Sequence, residues 1–426
     1  MCTTIVVGKN RSATGCVLLA HSEELGRNSA HKVTIVPARD PAPDERFPLH
    51  SSGTLSQPAH LVRHLAAKIF DKRHYPGEHT FGINEHGVAV SNNMAIMKGV
   101  PEDRMYDVIP GGVIWTEFLQ LVLERATSAR EGAALVGELC EHQGLSCDSG
   151  TMVAVADPDE AWWVELARDG HWAAERVGDG EVSIRANCYR IGTAGEPGHG
   201  ATMGAAADFA TAFGDPANQA DRYNLDRHNV LEARVSALGT VTVPDLMTLL
   251  REVYEGTPLY CTRPDGSPFR TSVRTVARMN TEACTVLEPR RGMRPELAHR
   301  MWSCLSTSLT GVFVPFHVGI ADVETRYATA GGRYAQDSAY WLFTELAKLV
   351  DAHYPRCIEV VRSRWRSFEA ETEPALTAME ARAAGLDPSG MIEAVTDFDR
   401  ERAAGAIDAL HDLLVEVKTL AFHEDF

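Results

Sequence analysis

The chain opens with MCTTIVVGKNRSATGCVLLAHSEELGRN (residues 1–28). Thr3 to Val7 is β-branched and apolar, the composition of a buried strand. Gly8-Lys9-Asn10 and Ser12 to Gly15 supply a turn, and Cys16 to Ala20 reads as the returning strand, so the reading starts from a hairpin. Cys2 stands out. Chain ends ordinarily fray, yet here a cysteine directly precedes a buried strand. Initiator methionine is removed efficiently when the second residue is small, and cysteine qualifies. The mature chain is therefore expected to start at Cys2, carrying both a thiol and a free α-amino group. A thiol attacks as thiolate and has a free pKa of about 8.5. An α-amino group titrates near about 7.7–8.0, so part of it is a neutral base near pH 7. One residue then offers nucleophile and general base together, held by the strand behind it.

Composition excludes several other classes. There are 41 basic and 58 acidic residues, a net charge of −17, which argues against nucleic acid or an anionic membrane as partner. No apolar run approaches the ~20 residues of a membrane span. The early apolar runs are broken by Lys9, Asn10 and Arg11, unlike a signal peptide, so a cytoplasmic location is expected. The nine cysteines are odd in number and include no CxxC pair, as expected of reduced thiols.

Motifs for dinucleotide, P-loop, zincin and α/β-hydrolase chemistry are absent. His60 and His64, four apart on an expected helix, lack a third ligand, so no metal and no cofactor is assigned. Glu23 and Glu24 could be an acid–base pair, although adjacent acids more often mark a solvated loop. Further strands are expected at Val33–Val36, Thr80–Ile83, Gly87–Ser91, Thr151–Ala156, Ala161–Leu166, Val182–Ala186, Ala283–Glu288 and Gly311–Pro315. Helices are expected at Trp115–Arg125, Ala133–His142 and Val243–Glu255, and nearly throughout from Ser338 with a break near Gly385–Gly390. Residues 40–58 read as a loop. Hairpins followed by runs of helices indicate an α+β layered fold. The division is a main domain over 1–335 with a helical portion over 336–426 packed on it. Those helices either complete the core or join copies of the chain into a homo-oligomer.

Several segments taken in order resemble the cysteine dipeptidases of peptidase family C69, within the N-terminal nucleophile hydrolases: MCTTIVVGK, LLAHSEELGRN, GINEHGVAVSNN, DSGTMVAVADPDEAWWVELARDGHWAAERV, ANCYRIG, GVFVPFHVGI and DSAYWLF. The resemblance implies an αββα four-layer sandwich and hydrolysis of a small peptide or acyl-amide substrate through a thioester on Cys2. It places the superfamily's arginine and aspartate on His21 and Glu24, both departures. Glu24, or Glu23 beside it, would then position the amine, and His21 would orient the thiol or touch substrate. Asn92 or Asn93 falls near the oxyanion, with Asn93 preferred and Asn92 left as a substrate contact. Asn187 matches a second active-site asparagine. The downstream arginine falls among Arg270, Arg274 and Arg278, and Arg274 is taken as the substrate-binding one. Pocket specificity is expected from loops 40–58 and 193–225. The departures leave room for an acyltransferase or tailoring amidase using the same nucleophile, and some secernin-like relatives suggest a non-enzymatic scaffold.

Overall fold

The computed structural model describes residues 2–24, 29–71, 75–101, 104, 107–192, 202–204 and 208–423. Thr3–Val7 (β1) turns back into Leu18–Glu23 (β2), followed by Ala30–Val36 (β3), a small ribbon of Arg46–Pro48 (β4) and Thr54–Ser56 (β5), then His64–Asp71 (β6), Tyr75–Asn84 (β7) and Ala89–Ala95 (β8). Helices Trp115–Arg125 (α1) and Ala129–Gln143 (α2) precede Gly150–Ala156 (β9), Ala161–Leu166 (β10), Trp172–Arg176 (β11), Val182–Arg185 (β12) and Thr202–Gly204 (β13). Next come Phe209–Phe213 (α3), Pro216–Gln219 (α4), Arg222–Ser236 (α5) and Val243–Leu250 (α6). The chain continues through Ala283–Glu288 (β14), Pro295–Ala298 (α7), Arg300–Leu305 (β15) and Val314–His317 (β16). It closes with Ala339–Ala352 (α8), Tyr354–Ala383 (α9) and Pro388–Phe422 (α10).

The strands make two large antiparallel sheets. One has the order β12-β1-β2-β14-β15-β16, the other β13-β11-β10-β9-β8-β7-β6-β3. They stack face to face, β1 and β2 against β8, and β14 against β7. Helices α1 and α2 cover the outer face of the larger sheet, and α5 and α6 that of the smaller. This is the αββα sandwich that the resemblance implied. Period-two alternation sorts the side chains. Ala89 and Ala95 of β8, with Met152, Ala154 and Ala156 of β9, face the other sheet. Val90, Val153 and Val155 face the helices, against Phe118, Leu121 and Val122 of α1. Helix ends carry ordinary caps, among them Ser128 on Glu131 N–H and a Thr242–Asp245 capping box.

Three departures from expectation have local causes. His60 and His64 do not share a helix. His64 begins β6, where its Nε2 meets Nε2 of His79 at 3.0 Å, and exposed His60 bonds Asp40 at 2.7 Å. Residues 40–58 hold the β4–β5 ribbon within the expected loop. Helix α5 escapes an apolar count because its buried stripe is Asn224, Arg227, Leu231 and Val235: the spacing is helical, but half of it is polar.

The boundary expected at 335/336 lies just before α8, and the buried core is continuous across it, with α8, α9 and α10 contributing to the same cluster as β1 and β2. One polar knot ties them down. His317 of β16 bonds Asp399 of α10 through Nδ1 at 3.0 Å and Glu380 of α9 through Nε2 at 2.9 Å. Glu380 also takes Arg290 and Arg300. Burial alone would lower the His317 pKa, but the two carboxylates outweigh it and raise it above the ordinary histidine value. Burial alone would raise Glu380, but His317 and the arginines hold it at about 2. A raised histidine contributes stability in full below about pH 6.5, and that stability is lost as pH rises through the folded value. Melting temperature should therefore fall as pH climbs from about 6 to about 9, and His317→Gln should remove most of that slope. Thermal denaturation of both proteins across the range checks it, and parallel slopes would refute it.

Candidate active site

The hairpin register builds the site. Thr3 pairs with Ser22 and Thr4 with His21, so the same register continued brings Cys2 opposite Glu23. Alternation then puts Cys2, Thr4, His21 and Glu23 on the face that looks toward the second sheet, and Thr3, Ser22 and Glu24 on the other. The thiol of Cys2 donates to Glu23 Oε1 at 3.3 Å, and Glu23 Oε2 meets His21 Nε2 at 3.1 Å. His21 Nδ1 lies 2.7 Å from the Thr4 hydroxyl, which donates to Asn93 Oδ1 at 2.5 Å. Because the Thr4 hydrogen is committed to Asn93, its oxygen accepts from His21, and the imidazole carries a proton on Nδ1. All five residues are buried.

Two side chains hold the backbone of Cys2. Asn93, from the larger sheet, donates through Nδ2 to the carbonyls of Ala186 (2.7 Å), Arg185 (3.0 Å) and Cys2 (3.3 Å). Arg227, from the polar stripe of α5, approaches from the opposite side. Its Nη1 reaches the Cys2 carbonyl at 2.8 Å and Thr3 Oγ1 at 3.0 Å. Its Nη2 reaches Asn187 Oδ1 and Asn224 Oδ1, each at 2.9 Å, and Nε bonds the Tyr223 carbonyl at 3.0 Å. Every N–H of this fully buried guanidinium is used. Asn187 gives one Nδ2 hydrogen to the Met94 carbonyl at 2.9 Å; Nδ2 donates no second hydrogen bond among the described residues.

Electrostatics set the resting state. Burial pushes the Cys2 thiol far up, and the charge of Glu23 adds to the effect, while the chain's terminal ammonium and the Glu24 backbone N–H oppose it. Burial alone would also raise Glu23, but the hydrogen bond and charge of His21 hold it below the usual carboxylate range. His31 of β3 is pushed down to about 4 by burial, partly countered by Glu23, and stands neutral beside the pair. The thiol is thus protonated until a base adjacent to it accepts the proton.

A buried cysteine ahead of β1 is thus clamped at its carbonyl within an αββα sandwich. Residues 1–196 and 225–367 match the description of peptidase family C69. The chain belongs to that family. Among curated relatives it is similar to a probable dipeptidase A of Streptococcus pyogenes, 24% identical over 83% of each chain. It is also similar to a probable dipeptidase B of Lactococcus lactis, 23% identical over 84% of this chain and 83% of the relative. Among solved structures it is similar to a conjugated bile acid hydrolase from Clostridium perfringens, 12% identical, with a TM-score of 0.42 over 79% of this chain and 100% of that one. The family is one of peptide-bond hydrolases, so this chain is an enzyme of that class.

Against the family reading, the structure redistributes the candidates. Glu23, and not Glu24, meets the Cys2 thiol; Glu24 lies on the other face, with its carboxylate 3.7 Å from Arg274 and bonded by Ser22. Arg274 therefore serves Glu24, and the arginine at the Cys2 carbonyl is Arg227, which apolar periodicity did not reveal. Asn93 reaches Cys2 but donates to three backbone carbonyls, which makes it a positioning residue in place of the expected oxyanion donor. Asn92 is on the helix side of β8, the face away from Cys2, and bonds Thr151 at 3.3 Å. Asn187 is joined to the Cys2 carbonyl through Arg227, which bonds both. His21 contacts the thiol's partner carboxylate and not the thiol itself. Of the loops expected to carry specificity, residues 193–201 and 205–207 lie outside the described residues.

The second Nδ2 hydrogen of Asn187 has no acceptor among the described residues, which makes this amide the oxyanion donor to test. Asn187→Asp keeps an acceptor for Arg227 and removes the donor. It should lower kcat by about 10²–10³-fold, whereas Asn92→Ser should stay within about twofold of the unaltered enzyme. Steady-state kinetics on one peptide substrate decide; equal losses in the two variants would return the oxyanion to the SNN segment.

Proposed function

We propose that the enzyme hydrolyses dipeptides through a thioester on Cys2 after Met1 is removed. The observation that carries this reading is the position of Cys2, with its carbonyl held by Arg227 and Asn93 and its thiol on Glu23. Such fixation is the positional accuracy that nucleophilic catalysis demands. Removal of Met1 puts the α-amine on the same residue as the thiol. The neutral amine takes the thiol proton, directly or through one water. The thiolate adds to the peptide carbonyl, and the oxyanion is met by the Asn187 amide and backbone N–H groups. The ammonium returns its proton to the leaving amine, and water, activated by the freed amine, resolves the thioester.

The dipeptide preference draws on the names of the curated relatives. No metal or organic cofactor is required by this sequence of steps. Among the described residues no helix is long and apolar enough to cross a membrane. Partners are proposed to be small zwitterionic peptides, and the cell compartment is proposed to be the cytoplasm.

Intact mass spectrometry of purified protein should show loss of Met1. A panel of dipeptides against N-acyl amides should then favour the dipeptides, and Cys2→Ser should lose at least about 100-fold in kcat/KM, because a hydroxyl is far less acidic than a thiol. Full turnover in Cys2→Ser, or in protein that still carries Met1, would sink the proposal.

A further inference from the structure

Cys2, His21 and Glu23 together make a donor set as well as a nucleophile's surroundings. Sγ, the imidazole Nε2 and a carboxylate oxygen all lie within 4.8 Å of one another, and all three residues are buried. The Sγ–Oε1 separation of 3.3 Å and the Nε2–Oε2 separation of 3.1 Å, each to a different oxygen of the Glu23 carboxylate, are comparable with the about 3.3–3.8 Å between corners of a tetrahedron around an ion with bonds of about 2.0–2.3 Å. We propose that this cluster is a binding site for a thiophilic divalent cation of the zinc class, with Cys2 Sγ, His21 Nε2 and Glu23 as side-chain ligands and the Cys2 α-amine as the fourth once Met1 is removed.

Four features of the site favour the ion. The amine and thiolate of one N-terminal cysteine close a five-membered chelate ring. His21 is already oriented for the ion: its Nδ1–H is given to Thr4, whose own hydrogen is fixed on Asn93, so loss of the Nε2 proton now given to Glu23 leaves the Nε2 lone pair facing the sulfur and the carboxylate. Such an outer hydrogen bond is the usual support of a zinc-ligating histidine. A thiolate and a carboxylate together neutralise the two charges of the ion, which leaves a neutral centre in a buried place. The mixed sulfur, nitrogen and single-carboxylate set suits zinc over magnesium or calcium. Binding expels the thiol proton, the His21 Nε2 proton and any proton on the amine to solvent; apart from these S–H and N–H bonds none is broken, and no oxidation state changes.

An ion so held occupies the sulfur lone pair that attacks substrate. Zinc therefore keeps the enzyme off, reversibly, and shields Cys2 from oxidants and alkylating agents. This last consequence rests on the proposed hydrolysis; the ligand set does not.

The test uses full-length protein with Met1 removed, confirmed by mass, and stripped of metal with a chelator. Cobalt(II) is the probe. Titration should raise a thiolate-to-cobalt charge-transfer band and the visible bands of tetrahedral cobalt, saturating at a single ion per chain. Cys2→Ser should lose the charge-transfer band, and His21→Gln and Glu23→Gln should each weaken cobalt binding at least about tenfold, with circular dichroism reporting the fold. Independently of any variant, zinc should block alkylation of Cys2 in peptide maps while the other cysteines label as before. Absence of the charge-transfer band at one equivalent, equal affinity in His21→Gln, or unchanged alkylation of Cys2 would each overturn the site. Dipeptide turnover by the metal-free protein is measured in parallel. Turnover without a cobalt band overturns the metal site and leaves hydrolysis standing; a cobalt band without turnover does the reverse.

Discussion

The whole site hangs on a buried guanidinium. Arg227 brings a permanent charge into the layer between α5 and the smaller sheet, where an unpaired ion would cost several kcal/mol. The cost is offset because its donors meet the Cys2 carbonyl, Thr3, Asn187, Asn224 and the Tyr223 carbonyl. Each of those acceptors, left unmet in a buried place, would itself cost about 1–3 kcal/mol. Summed over the group, that is comparable to the whole net stability of an ordinary domain, about 5–15 kcal/mol. The arrangement is therefore all or nothing: α5, the start of β1 and the segment after β12 are fixed relative to one another, or none of them is.

Asn93 supplies the matching constraint from the other sheet. A single amide joins β8 to the backbone at the ends of β1 and β12, and its oxygen anchors the Thr4 hydroxyl. The small inner residues Ala89, Ala95, Ala154 and Ala156 leave room for that polar bridge between stacked sheets. The chemistry and the sandwich are consequently one problem. The hydrogen-bonded line from Asn93 through Thr4, His21 and Glu23 to the thiol runs from one sheet into the other, and any change in sheet spacing would be felt at sulfur.

How much of this was legible in the chain differs residue by residue. The opening strand and α1 were, because Thr3–Val7 is uniformly apolar and Trp115–Arg125 keeps a clean helical period. The αββα sandwich came from the family resemblance and from the order of hairpins and helices. Helix α5 was not visible, since Asn224 and Arg227 occupy positions where a count of apolar residues expects leucine. The choice between Glu23 and Glu24 turned on parity: both sit at the strand end, and only the cross-strand register shows which one shares a face with Cys2. The same ambiguity affected Asn92 and Asn93. There the sequence did hold a clue, because the small Ala89 and the larger Val90 mark which face of β8 meets a sheet and which meets helices.

That register also bears on how the chain can vary. Cys2 lies opposite Glu23 because the β1–β2 connection has a fixed length between Val7 and Leu18. A strand that slips by one residue turns every side chain to the other face. A slip of that kind would carry Glu23 and His21 out to the helices and bring Ser22 and Glu24 in, with no side chain altered. Insertions in this turn are therefore tolerable only where the extra residues bulge out and leave the pairing untouched. A surface hairpin tip, usually the most permissive place in a protein for length change, is here a ruler that sets the identity of the acid beside the nucleophile.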